Sequence, residues 1–287
     1  MTPAQPDPRT TTATSLRDLF MVRLRSEDLE LPILPETAAS VLEACRDEAT
    51  GPRQVAETLQ RDSSLAGHVL RLANSAAYGG GQPIASLSQA VSRLGLNGVA
   101  EITMAIALKG KVFRSKQHES LALPIWIHSA AAGGWAREIA RMRRRNVEGA
   151  FLCGLLHDVG RPVILQAAAD IEAATGTTFD ADSIRALMDE FHTAVGSSLI
   201  RRWSLPDWIA DAVLWHHDYA KATNHRNEVL TTALADRLAH WSLERAEDDV
   251  DEICGLDLVS LLNIYPEDLE ALFAVRPIVL ELTEAFA

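Results

Sequence analysis

Apolar residues recur at three- and four-residue spacings along most of the chain. VLEACRD, LAGHVLRLANSAAYG, AEITMAIALKGKVF, AAGGWAREIARM, GAFLCGLLHDVG and DAVLWHHDYA all carry that spacing, and clean two-residue alternation is hard to find. The pattern predicts an all-α fold. Boundary signals agree with it. Ser86 and Gln89 form a capping box ahead of AVSRL, Gly95 is placed to stop that helix, the glycines at 79–81 end the one before, and Pro206 fits the first turn of another. Residues 1–14, rich in Pro and Thr, are expected to form a disordered tail. A shift in composition around 118–126 divides the remainder into an N-terminal helical part, 15–118, and a second helical part, 119–287.

Composition narrows the class. With 287 residues and 47% hydrophobic content, the chain can bury one large core or two modest ones. No apolar stretch is expected to reach the roughly 20 residues that span a bilayer, and MTPAQPDPRTTTATS lacks the apolar centre of a signal peptide. The expectation is therefore a cytoplasmic protein with no membrane partner. Cys45, Cys153 and Cys254 form no CxxC pair, which argues against a disulfide framework or a cysteine zinc site and for packing as small apolar groups. A net charge of −12 makes nucleic acid an unlikely partner, because phosphates call for a basic surface. RMRRRN, at 141–146, is the local exception. It reads as a solvated helix end or, alternatively, as a phosphate contact through Arg143, Arg144 and Arg145.

The candidate chemistry centres on GLLHDVG, where His157 and Asp158 stand side by side at the end of an apolar run. Other helix-like segments carry His128 in WIHSAAAGGWAREIA, His192 in EFHTAVGSSLIRRW, His216 and His217 in AVLWHHDYA, and Asp236 in TALADRLAHW. Imidazole and carboxylate together suit Fe, Mn, Zn or Ni, and gathering ligands from several helices is how a bundle builds a metal site in its core. Adjacent side chains on a helix point about 100° apart, so an HD pair can still straddle an ion. The alternatives are a capped helix end at His157 and Asp158, a hydrogen-bonded His192, half-exposed His216 and His217, and an Asp236 paired with Arg237 or Arg226. His68, His118, His225 and His240 fit no motif and read as structural or surface residues. LANSAAYG offers small residues for close helix packing, and Ser75 has no triad context for a nucleophile. Trp203, Trp208 and Trp215 read as packing residues.

The order H, HD, H, HH, D resembles that of the HD superfamily of metal-dependent phosphohydrolases. LPILPETA (31–38), RDSSLAGHVLRLANSAAYG (61–79), IASLSQAVSRLGLNGV (84–99), WIHSA (126–130), GLLHDVG and HTAVGSSLIRRWSLPDWI (192–209) narrow the resemblance to the HDOD family. It implies a helical bundle of HD-like fold over 119–287 with an additional N-terminal helical subdomain. It also implies a bacterial signalling or output module with no settled enzymatic reaction, acting on a signalling protein partner or a nucleotide ligand. The alternative it carries is a metal-dependent phosphohydrolase, acting as a phosphodiesterase or on nucleotides. Many HDOD members look as though they have lost metal ligands; here a candidate stands at each position. By position, His128, His157, Asp158 and Asp236 match the first HD metal site, and His192, His216 and His217 match the second site of dinuclear relatives, with Asp158 bridging. One or two divalent ions are implied, Fe or Mn ahead of Zn because the set includes no thiolate. HHDYAKATNH lacks the Gly-Tyr-Pro stretch of the cyclic-di-GMP phosphodiesterase branch, which argues against that branch. Neither a catalytic acid nor a substrate loop is recognisable.

Overall fold

The computed structural model describes residues 15–26, 36–47, 49–78, 82–111, 117–244 and 249–286. The expected tail at 1–14, the first residues of LPILPETA and the glycines at 79–81 lie outside these residues. Among the described residues there are fifteen helices and two short 3-10 turns, and no strand. The N-terminal helices are α1 (Leu16–Arg25), α2 (Glu36–Arg46), α3 (Pro52–Leu59), α4 (Ser63–Ala73) and α5 (Leu87–Lys111). The middle of the chain forms α6 (Glu119–Met142), α7 (Val147–Leu156), α8 (Gly160–Thr175), α9 (Ala181–Arg202), α10 (Asp207–Trp215) and α11 (Arg226–Glu244). Four shorter helices follow: α12 (Asp249–Gly255), α13 (Asp257–Leu261), α14 (Pro266–Ala274) and α15 (Arg276–Phe286).

Side-chain caps start many of these helices by satisfying backbone N–H groups that have no partner within the helix. Asp62 accepts from the N–H groups of Ser64 and Leu65 at 3.0 Å each, Asn146 from Gly149 at 2.9 Å, and Asp180 from Ser183 at 2.7 Å. Ser86 caps as its sequence suggests, accepting from the N–H of Gln89 at 3.2 Å. Pro206 sits one position earlier than expected, as the residue capping α10 rather than inside its first turn. Asp180→Ala should lower the stability of the chain by about 1 kcal/mol, the usual loss for an N-cap. A urea midpoint unchanged from wild type would show that α9 does not depend on this cap.

Two sequence expectations need correction. Leu87–Gly110 in α5, 24 residues, is long and apolar enough to cross a membrane by length and composition. Half of it is buried in the protein, and Gly95, at φ 71° and ψ 167°, breaks the helix, as its sequence position suggests. Those interruptions hide the stretch from a reading that looks for one unbroken apolar run. Cys254 is exposed at the end of α12 rather than packed, whereas Cys153 is buried and Cys45 half-buried.

The core has two parts, and α6 lies between them. The larger runs from Phe20 of α1 through Leu72 of α4, Ile102 and Leu108 of α5, Phe151 and Leu155 of α7 and Leu199 of α9 to Leu282 and Phe286 of α15. Trp203 and Trp208 pack against it. The smaller joins Trp135 and Ile139 of α6 to Leu234, Leu238 and Trp241 of α11 and to Leu258, Leu269 and Val279. Small residues on α6 allow its neighbours to come close. A Cβ added at Gly154 of α7 would lie 2.4 Å from the Ala132 carbonyl oxygen, and one at Gly134 would lie 2.9 Å from Val279. α15 is tied to both halves of the chain: Trp126 of α6 donates its indole N–H to the Phe286 carbonyl at 3.1 Å, and Glu281 accepts from the N–H of Ala76 at 3.1 Å.

Candidate metal centre

Five helices deliver side chains to one point. α6 brings His128, the end of α7 brings His157 and the adjoining Asp158, α9 brings His192, the end of α10 brings His216 and His217, and α11 brings Asp236. The local geometry depends on missing side chains. α8 starts at Gly160, where a Cβ would lie 2.0 Å from the carbonyl oxygen of His192 and 2.8 Å from the N of Gly196. The backbone after the HD pair therefore rests directly on α9.

The seven residues form two groups, in each of which one ligand atom per residue lies within 4.8 Å of the others. The first is His128, His157 and Asp236; the second is Asp158, His192, His216 and His217. His128 Nε2 is 3.0 Å from Asp236 Oδ1 and 3.2 Å from His157 Nε2. Asp158 Oδ1 is 3.3 Å from His192 Nε2 and 4.0 Å from His216 Nε2. Asp158 groups with the second set through Oδ1, while its Oδ2 lies 3.6 Å from His157 Nε2, so the carboxylate stands where the groups meet, the position the resemblance implies for a bridging residue. All but His217 are largely buried, so the surface alternative fails for His216 and holds only in part for the half-exposed His217.

Hydrogen bonds orient the rings. The Nδ1–H groups of His157, His192 and His216 donate to the carbonyls of Gly154, Met188 and Val213 at 2.6, 2.8 and 2.8 Å. With Nδ1 holding the proton, the neutral rings of His192 and His216 turn an Nε2 lone pair inward, the tautomer a metal needs. Asp158 Oδ1, His192 Nε2 and His216 Nε2 are buried and have no hydrogen-bond partner among the described residues. Three acceptors facing one another unpartnered are what a bound cation satisfies, and the donor set fits a divalent ion.

The electrostatics agree. Burial pushes the His192 imidazole down to about 4 and His216 well below its ordinary value, and it lowers His128 against the pull of Asp236. Burial would raise Asp158, but His157, Arg161 and His192 outweigh it and hold the carboxyl below the carboxylate range. Asp236 is likewise held low by His128 and His157 in spite of burial. His157 goes the other way: burial lowers it, yet Asp158 and Asp236 raise it above the usual histidine value. His157 Nε2 lies 3.6 Å from both Asp158 Oδ2 and Asp236 Oδ1, so a divalent cation bound there would compete with a proton on that ring.

Two participants are not apparent from the motif order. Arg161, three residues after Asp158 on the first turn of α8, donates from Nε to Asp158 Oδ2 and from Nη1 to Asp189, each at 2.7 Å. His240, one turn after Asp236 on α11, has its Nε2 3.6 Å from Asp236 Oδ1 and its ring centroid 4.3 Å from that of His128. The i,i+3 and i,i+4 spacings were the available signals. Both residues line a cleft of about 690 Å³ in which His128, Asp158 and Asp236 face Pro124, Ile125, Met188 and Leu243.

The basic run stands apart from this centre. Arg143 lies fifteen positions beyond His128, about 22 Å along a helix at 1.5 Å per residue. It is half-buried rather than solvated, donating to the Leu262 carbonyl at 3.0 Å and to Asn227 at 3.2 Å, while Arg144 and Arg145 are exposed.

The sequence profile of the HDOD domain matches residues 31–219. The chain belongs to the HDOD family. Asp236 lies beyond the matched span of this HDOD chain, and the other six residues of the two groups lie within it. A crystal structure from Shewanella amazonensis SB2B, named for an unproven metal-dependent phosphohydrolase, is similar at TM-score 0.77 and 23% identity, covering 95% of this chain and 98% of that one. An HDOD domain protein of unknown function from Geobacter sulfurreducens is similar at TM-score 0.69 and 24% identity, covering 93% and 96%. An uncharacterized protein of Treponema pallidum is 23% identical over 211 residues, which is 71% of this chain and 40% of that protein's length. At these identities the solved structures speak to the HD-like helical fold alone.

Proposed function

We propose that this HDOD chain is a bacterial signalling module whose HD-like half holds divalent metal and uses it to bind a phosphate ester, a nucleotide being the favoured class. The observation that carries the reading is the set of three acceptors unpartnered among the described residues, Asp158 Oδ1 from the turn between α7 and α8, His192 Nε2 from α9 and His216 Nε2 from the end of α10, buried together. Their rings are oriented by backbone carbonyls, so the donors need no rearrangement to accept an ion. Arg161 holds Asp158 Oδ2, which keeps Oδ1 turned toward His192 and His216. The cleft beside them is lined both by acidic and basic groups and by apolar side chains, a mixture that suits a ligand with a charged head and an apolar body. Fe or Mn is favoured over Zn on donor chemistry, with one or two ions held.

Hydrolysis is the second reading, and the complete donor set favours it. A pair of divalent ions supplies an activated water and a clamp on the phosphoryl group. The protein's own part would be to hold Asp158 and Asp236 ionised, to exclude solvent through the buried imidazoles, and to move a proton at the cleft edge through the exposed His240. Untagged protein loaded with Mn or Fe decides between the readings when it is offered phosphomonoesters, phosphodiesters and nucleotides. Metal-dependent binding without turnover supports the signalling module; turnover lost in a folded His157→Ala, Asp158→Ala variant establishes the enzyme. Absence of metal from the wild type defeats both.

A further inference from the structure

A second cavity, of about 450 Å³, is enclosed by α5, α6, α7 and the 3-10 turn Ala76–Tyr78. Polar side chains dominate it: Tyr78, Arg93, Glu101, Arg137, Arg141 and Glu148. It belongs to neither metal group. Arg137 follows His128 by nine positions on α6, about 13 Å along the helix, and no side chain of the metal centre borders it.

The floor of this cavity is under-satisfied. Arg137 is 7% exposed and Glu101 2%. The guanidinium carbon of Arg137 lies 3.7 Å from the centroid of the Tyr78 ring, and its Nη2 donates to the Ala77 carbonyl at 3.1 Å. Its Nε and Nη1, together with Glu101 Oε1 and the Tyr78 hydroxyl, are buried without a hydrogen-bond partner among the described residues. Folded proteins leave few such atoms, and four in one cavity around a buried cation is a concentration that calls for a ligand. Arg93 adds charge that no carboxylate among the described residues takes up: its Nη1 and Nη2 are held by the carbonyls of Ala73 at 3.1 Å and Gln82 at 2.7 Å. Arg141 is paired with Glu138 at 2.6 Å.

We propose that this cavity is a second ligand site, built for a small hydroxylated organic oxyanion, either a sugar phosphate or a hydroxycarboxylate. Arg137 takes the anionic oxygens from below and Arg93 from the side, where charge-assisted bonds in a shielded site are strongest. Glu101, Glu148 and the Tyr78 hydroxyl receive the ligand's hydroxyl groups. Burial pushes the Glu101 carboxyl up to about 8, so at neutral pH it meets a hydroxyl as a neutral acid and leaves the Arg137 charge to the ligand. The volume falls in the range of small-molecule pockets, roughly 300–1,000 Å³, and exceeds what one inorganic anion fills. The motif LANSAAYG thereby gains a purpose beyond packing, since Tyr78 is its aromatic residue.

Calorimetric titration of the full chain with ribose 5-phosphate, citrate and inorganic phosphate tests the site. One of the two organic probes should bind with Kd below about 1 mM, the preferred probe identifying the phosphate or the carboxylate source, and inorganic phosphate should bind at least roughly tenfold more weakly. Arg137→Met should weaken binding by roughly tenfold or more. Gly98→Leu is the second variant, because Gly98 lines the cavity and an added Cβ there meets only Leu94, at 3.5 Å, so the side chain plugs the space without a backbone clash. It should abolish binding in the His157→Ala background, where the metal centre no longer offers a phosphate ester a site, in a protein that melts as His157→Ala does. His157→Ala alone should leave the cavity's binding intact. No organic probe binding at 10 mM (about ten times the expected limit), binding that survives Gly98→Leu in that background, or binding lost in folded His157→Ala overturns the proposal.

Discussion

His157→Ala will leave the chain unable to retain metal through purification, with affinity reduced at least about a hundredfold, because it removes an oriented donor rather than an outer support. The His157 ring lies 3.2 Å from His128 and 3.6 Å from Asp158 and Asp236, so its loss also opens the junction between the two groups. Asp158→Asn, which keeps the shape and removes the charge, should have a similar effect on metal content. It should also be destabilised by about 3–5 kcal/mol without metal, because Arg161 and His157 are left facing a neutral amide in a buried site. Elemental analysis of untagged protein, with a thermal melt to confirm folding, reads both effects. Wild-type metal content in folded His157→Ala would remove His157 from the ligand set and with it the proposed centre.

Gly160→Ala should be the most damaging glycine-to-alanine change among the described residues. Its Cβ would fall 2.0 Å from the His192 carbonyl oxygen, closer than any real contact, and the obstacle is backbone rather than a side chain that can swing away. Separating α8 from α9 to make room should cost about 3 kcal/mol or more and should move His192 away from Asp158, so metal content falls together with stability. Gly67→Ala in α4 provides the contrast. Nothing lies within 4 Å of an added Cβ there, and the gain in helix propensity should stabilise the chain by a few tenths of a kcal/mol to about 1 kcal/mol. Chemical denaturation of both variants checks the pair; a Gly160→Ala protein as stable as Gly67→Ala would show that the α8–α9 contact yields easily.

The helical class was legible because three- and four-residue spacing reports directly on which face of each helix is buried. The convergence of His128, His157, Asp158, His192, His216, His217 and Asp236 was legible only through motif order, since spacing alone leaves each histidine with an ordinary structural reading. Their division into a His128 group and a His192 group, with Asp158 between, was likewise legible only through the resemblance. The close approach of Gly160 to His192 behind the HD pair was not, being a contact between backbones that residue types do not announce. Arg161 escaped notice because its role follows from the turn geometry after the HD pair. Arg137, Glu101 and Tyr78 look like unremarkable polar positions of three separate helical segments, and only packing shows that they share a cavity.

The position of α15 bears on how a ribosome delivers this chain. Phe286 receives the indole N–H of Trp126 across 160 positions, and Glu281 receives the N–H of Ala76 across 205. During synthesis, α4 and α6 leave the exit tunnel long before the segment that covers them exists. The apolar surfaces around Trp126 and Ala77, buried in the finished protein, must therefore stay open for most of translation. Local helices can form early, but closure waits for a late partner, so the nascent chain is a natural client for chaperones until α15 arrives.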